Sequence, residues 1–143
     1  MDKTPSEVGA RAELEVTAAL IRSGRRVYLP LLQHDGRVDL IFDDGPRGLQ
    51  RTQCKTSRLA AGVLTFAVCS HTRSVRRDYR GQIDVFGVYS PERNEVFIVP
   101  VEDVATRLCS LRLEPTRNNQ AIGIRWAEQY RLSPLAETEP VLS

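Results

Sequence analysis

Val8, Ala12, Val16, Ala19 and Leu20 recur at the three- to four-residue spacing of one helix face. Ahead of them, Thr4-Pro5-Ser6-Glu7 has the form of a helix start. Thr4 suits the N-cap, Pro5 the first helical position, and Glu7 closes a capping box. Gly24 predicts the C-terminal cap, and the small residues Gly9 and Ala12 predict a close approach of this helix to a sheet. Beyond Gly24 the period changes. Short apolar runs predict strands over 26–30, 38–42, 49–56, 63–69, 83–89 and 95–99. Turn-forming clusters separate them: His34-Asp35-Gly36, Asp43-Asp44-Gly45-Pro46, Ala60-Ala61-Gly62 and Ser90-Pro91-Glu92-Arg93-Asn94. The second and third strands, and the last two, then read as hairpins.

Residues 70–81 read as a polar, basic loop and 101–108 as a short helix, with a short edge strand over 111–113. Ile122, Trp126 and Tyr130 are four apart and predict one face of a C-terminal helix, with Trp126 and Tyr130 in the core. The order is one helix, a run of mostly antiparallel strands, then two helices. It predicts an α/β fold of the mixed α+β kind, a central sheet flanked by helices, in one domain over residues 1–133. Residues 134–143 are expected to be a disordered tail.

The composition adds constraints. The chain has 143 residues, 41% hydrophobic and 27% charged, which suits one soluble domain. No stretch approaches the roughly 18 apolar residues of a membrane span, and the start lacks a signal-peptide layout, so a cytoplasmic location is expected. Cys54, Cys69 and Cys109 are widely spaced and form no C-x-x-C pair, which argues against a disulfide framework or a zinc knuckle. Net charge is only +2, but Arg73, Arg76, Arg77 and Arg80 cluster in one short stretch. A local basic patch of this kind can supply phosphate contacts in a near-neutral chain. Of the 20 basic residues only Lys3 and Lys55 are lysines. A lone interior lysine in an arginine-rich chain marks a position suited to a compact charge on a flexible stem.

That lysine has chemical company. Asp39 interrupts the apolar run Val38–Phe42, and an unpaired buried carboxylate is costly. Gln53 and Lys55 are two apart on the next strand and therefore share a face. If Asp39 lies beside them, two oxygen ligands and a cation converge. Phosphodiester hydrolysis uses such a set: Mg²⁺ takes oxygen ligands, and a nearby lysine stabilises developing negative charge. Glu13 and Glu15, at opposite edges of the first helix's apolar stripe, could each add a carboxylate. The plainer alternative is a salt bridge between Asp39 and Lys55, with Gln53 as a polar sheet residue.

Stretches from end to end bear on that choice. They include Gly9-Ala10-Arg11-Ala12-Glu13, residues 24–30, Val38-Asp39-Leu40, Gln53-Cys54-Lys55-Thr56, residues 79–89, Val96-Phe97-Ile98-Val99-Pro100, Leu111-Arg112-Leu113, Asn119-Gln120 and residues 124–130. In their order and spacing the chain resembles the PD-(D/E)XK endonucleases, in particular the small homing endonucleases encoded in bacterial group I introns. The resemblance implies a restriction-endonuclease-like core. It places the family's core acid on Asp39, its lysine on Lys55 and its helix-borne acid on Glu13. Gln53 stands where the superfamily carries an acid, and the intron branch is similar in carrying glutamine there. The resemblance thus implies catalytic Asp39, Gln53, Lys55 and Glu13, with Mg²⁺ held by Asp39, Gln53 and Glu13. It also implies a homo-oligomer, dimer or tetramer, acting on DNA.

Arg73, Arg76, Arg77, Tyr79 and Arg80 are the expected DNA-facing residues. Asn119 and Gln120 would either read base edges or cap the last helix. Asp84, in an apolar strand, either orients a basic group or is a satisfied structural acid. Three functions remain open at this point: a Mg²⁺-dependent homing-type DNA endonuclease, a branched-DNA resolvase of the same fold, and a DNA-binding module that has lost cleavage. Gln53 motivates the last.

Overall fold

Helix α1 (Pro5–Arg22) begins where the capping box closes. Thr4 Oγ1 accepts the Glu7 N–H at 3.2 Å and Glu7 Oε2 accepts the Thr4 N–H at 3.1 Å. It ends at Ser23, with Gly24 beyond it at φ 92°. The Gly24 N–H then bonds the Ile21 carbonyl and the Arg25 N–H the Leu20 carbonyl, a Schellman closure that a residue with a Cβ would strain. The computed structural model describes residues 3–32, 36–68, 71–72, 75–76, 81–104, 107–115 and 124–135. No helix among them is long and apolar enough to cross a membrane.

The strands follow as β1 (Val27–Tyr28), β2 (Leu40–Asp43), β3 (Leu49–Thr56), β4 (Arg58–Ala60) and β5 (Val63–Ala67), then β6 (His71–Thr72), β7 (Val75–Arg76), β8 (Val85–Ser90), β9 (Glu95–Pro100) and β10 (Leu108–Arg112). The main sheet has the order β1-β2-β3-β8-β9. Its one parallel pair is β3 with β8; the other neighbours are antiparallel. The connection between β3 and β8 contains β4 and β5, which join β10 in a second sheet of order β10-β5-β4. The hairpin β6–β7 replaces part of the loop expected over 70–81.

Two apolar layers result. On one face, Ala12, Val16 and Leu20 of α1 pack over Leu40, Phe42, Cys54, Val85 and Tyr89. On the other, Leu64, Phe66, Cys109 and Leu111 of the small sheet cover Phe86, Val88, Phe97 and Val99. The Phe66 and Phe86 rings lie 5.7 Å apart at 58°, within the favourable range for aromatic pairs. Every residue of β8 is buried, as a strand covered on both faces must be. The tight approach of α1 comes at Gly87 rather than at Gly9. A Cβ at Gly87 would stand 2.8 Å from Val16 Cγ1, whereas one at Gly9 would meet nothing within 4 Å.

Among the described residues the expected C-terminal helices are not found. Val101–Asp103 is a single 3-10 turn, and Leu108, expected to end that helix, begins β10. Trp126 precedes another 3-10 turn, Ala127–Tyr130, and is half-buried, so it is less interior than its spacing suggested. The small sheet takes the covering role on that face. β10 pairs with β5 along its whole length, from Leu108 opposite Ala67 to Arg112 opposite Val63.

Candidate active site

The register of β3 decides what gathers around Asp39. Leu40 of β2 faces Thr52, and on the other side Gln53 and Lys55 face Phe86 and Val88 of β8. Thr52 and Cys54 therefore belong to the α1 face, and Arg51, Gln53 and Lys55 to the opposite one. Asp39 immediately precedes β2, its N–H bonded to the Thr52 carbonyl at 2.8 Å. Its Oδ2 accepts the Cys54 backbone N–H at 2.7 Å and Gln53 Nε2 at 3.1 Å. The polar alternation of β3 thus brings Asp39 and Gln53 together, as the two-residue spacing implied.

The Asp39 carboxyl is pushed up from 3.8 to about 6. Burial is the main cause; the charge of Glu13 and a side-chain hydrogen bond with it also raise the value, while the Cys54 N–H and the charge of Lys55 lower it. Glu13 is therefore the helix acid that reaches Asp39. Glu15 instead pairs with Arg11 one turn away, at 3.6 Å.

Gln53 carries the sharpest signal. With Nε2 committed to Asp39, its Oε1 is buried and has no hydrogen-bond partner. Buried polar atoms are nearly always satisfied, so an orphan of this kind suits an absent ligand. No group of three or more His, Cys, Asp and Glu that could hold a metal occurs among the described residues. The oxygen set here is two carboxylates and an amide. Such hard oxygen donors fit a divalent cation of the magnesium type, which takes few protein ligands and keeps water and substrate for the rest.

Cys54, between Gln53 and Lys55, points to the other face. Its side chain is buried under α1, and burial together with Asp39 and Glu13 pushes the thiol well above its ordinary value. Cys109 is likewise pushed up to about 11, chiefly by burial. In both, burial disfavours the thiolate.

Asp84, for which two roles were open, combines them. It grips Arg51 with both carboxylate oxygens, at 3.0 Å from Nε and 3.1 Å from Nη2, and accepts the Arg51 backbone N–H at 2.8 Å. Those hydrogen bonds lower its carboxyl below the ordinary value despite partial burial. Arg51 was not singled out from sequence, although the alternation that pairs Gln53 with Lys55 extends to it. A cleft of about 780 Å³ lies at the other end of these strands and is lined by Arg25, Asp44, Arg51 and Asp84, among others. Asp39, Gln53, Lys55 and Glu13 do not line it. Arg73, Arg77, Tyr79, Arg80, Asn119 and Gln120 lie outside the described residues; Arg76 is placed only by the backbone of β7.

Known proteins match this arrangement at two levels. A comparison with curated proteins found no match. Among solved structures, the chain is similar to a bacterial homing endonuclease, I-Ssp6803I, at a TM-score of 0.70 and 22% identity, covering 90% of this chain and 89% of that one. That likeness shows a restriction-endonuclease-like fold. The sequence profile of the PD-(D/E)XK endonucleases matches residues 4–133. The chain belongs to the PD-(D/E)XK endonuclease family, whose members are nucleases and generally use divalent metal ions.

Proposed function

We propose that this chain is a Mg²⁺-dependent DNA endonuclease of the homing type, acting as a homo-oligomer. The orphaned Gln53 Oε1 beside the Asp39 and Glu13 carboxylates carries the reading, because it leaves a buried oxygen donor that a bound ion would complete. Asp39, Gln53 and Glu13 would hold the ion. When bound, it supplies a water of lowered pKa and neutralises charge on the phosphate.

The chain's own groups do the rest. The Cys54 N–H holds the Asp39 carboxylate in one orientation. Gln53 keeps Asp39 fixed through Nε2 and frees its own oxygen for the ion. Lys55 shares the Gln53 face of β3, and its charge already acts on Asp39. A cation so placed stabilises the negative charge that develops on the phosphate oxygens. Glutamine in place of an acid removes one negative charge from the ligand set. Asp39, Glu13 and the phosphate still supply enough to balance a divalent ion, which favours a working nuclease over an inactive module.

The likeness to a bacterial homing endonuclease supports the homing reading. One such site cuts one strand, so a symmetric pair would cut both. Selection from a random-sequence duplex library with Mg²⁺, beside a four-way junction, tests the assignment. Cutting of one long duplex site, abolished by EDTA, is the expected result. Cutting of the junction alone would make the protein a resolvase instead.

A further inference from the structure

The proposed chemistry uses two of the three polar side chains on one face of β3. The third is Arg51. Residues two apart on a strand are about 6.7 Å apart and share a face, so the heads of Arg51, Gln53 and Lys55 form a row. The guanidinium in that row is fixed in place. Nε and Nη2 meet Asp84 in a fork-on-fork pair at 3.0 and 3.1 Å, and Nη1 donates to the Gly81 carbonyl at 3.2 Å. Of the five N–H groups of a guanidinium, three are thereby committed and two remain. The side chain is 41% exposed.

Exposed ion pairs add little to stability, so stability alone gives a weak reason for this geometry. A prealigned guanidinium with spare donors at the surface is what an anion of fixed position needs. The third contact gives direction. Gly81 directly follows the stretch containing Arg73, Arg76, Arg77 and Arg80, the expected DNA-facing cluster. Arg51 is thus bonded to the root of the basic segment and aligned with Lys55.

We propose that Arg51, buttressed by Asp84, contacts a backbone phosphate of the DNA strand being cut, alongside the site at Lys55. The proposal rests on the nuclease reading. Arg51 binds and aligns the strand, and takes no part in bond breaking.

The test is the salt dependence of binding to a mixed-sequence duplex in EDTA, where cleavage is off. Each phosphate contact contributes about 0.9 to the slope of log affinity against log salt. Arg51→Gln is expected to lower the slope by about 0.9. Its affinity should therefore fall about 3- to 4-fold less than that of the unsubstituted protein between about 50 and 200 mM salt. Asp84→Asn keeps the charge on Arg51 and should leave the slope unchanged. Should Arg51→Gln alone fail to fold, the double variant Arg51→Gln/Asp84→Asn leaves no unpaired charge at this place, and the same loss of slope is expected. A double or single Arg51 variant with the slope of the unsubstituted protein overturns the proposal and leaves the nuclease reading standing. If the unsubstituted protein itself binds DNA without salt dependence, the nuclease reading falls and this proposal with it.

Discussion

Asp39→Asn should stabilise the metal-free protein near neutral pH. The carboxyl of Asp39 is raised from 3.8 to about 6, so in the folded state it is reluctant to ionise. A carboxyl raised on folding favours the native state while it is protonated. That advantage fades as pH rises from about 4 through 6, and above 6 the ionised group opposes folding. Each tenfold change in proton affinity is worth about 1.4 kcal/mol, so the rise corresponds to about 3 kcal/mol. The group is not fully enclosed, and solvent screening brings the figure to about 1–2 kcal/mol. Asparagine keeps an acceptor for the Cys54 N–H and removes the repulsion from Glu13. Thermal melts in EDTA at pH 7.5 should therefore show Asp39→Asn melting about 3–6 °C higher than the unsubstituted protein. The gap should shrink towards zero at pH 4. Mg²⁺ should reverse the order: at about 100 times its dissociation constant a bound ion adds about 2.7 kcal/mol to the unsubstituted protein, and the variant should gain little. An Asp39→Asn protein that melts lower in EDTA at pH 7.5, by an amount independent of pH, would refute the reasoning.

Two further substitutions probe how the site is held. Gly87→Ala puts a Cβ against Val16, three residues along α1 from Glu13, and should lower stability by about 1–3 kcal/mol in urea melts. It should also slow cleavage, because the helix must shift to make room; a normal rate would separate α1 from the chemistry. Arg25 is nearly enclosed, with Nε 2.8 Å from Asp44 and Nη1 bonded to Ser23 and the Ser133 carbonyl. Arg25→Met should cost about 3–5 kcal/mol by leaving the Asp44 carboxylate unpaired, measurable as a lowered urea midpoint at pH 7.

The parts of the fold legible in sequence were those fixed by short-range patterns. The capping box at Thr4 and Glu7 sets the start of α1 from four residues. The alternation of Gln53, Cys54 and Lys55 sets which side chains share a face whatever the sheet around them. The C-terminal third was misread for the opposite reason. Residues 101–108 and 122–130 carry apolar positions at helical spacing, but their cover is needed over Phe86, Val88 and Phe97, and a strand paired with β5 supplies it. Long-range pairing won over local period. Gly87 was illegible as a packing point because its role depends on Val16, a residue 71 positions earlier. Within the candidate site, Asp39 and Gln53 were singled out by spacing, and the resemblance favoured Glu13. Only the contact between Asp39 and Glu13, and the pairing of Glu15 with Arg11, ties that acid to the site in space. Arg51 was passed over because its partner Asp84 lies 33 residues on, just before β8.

Lys55→Ala gives the most direct measurement of the central claim. Supercoiled plasmid should be incubated with the unsubstituted protein and with the variant, in Mg²⁺ or EDTA, and binding measured on the same DNA. The account predicts cutting only by the unsubstituted protein with Mg²⁺. It also predicts that the variant loses at least about 100-fold in cleavage rate, as removal of a group stabilising transition-state charge does, while DNA affinity changes little. Cleavage by Lys55→Ala at the unsubstituted rate, or cleavage that persists in EDTA, would contradict the account.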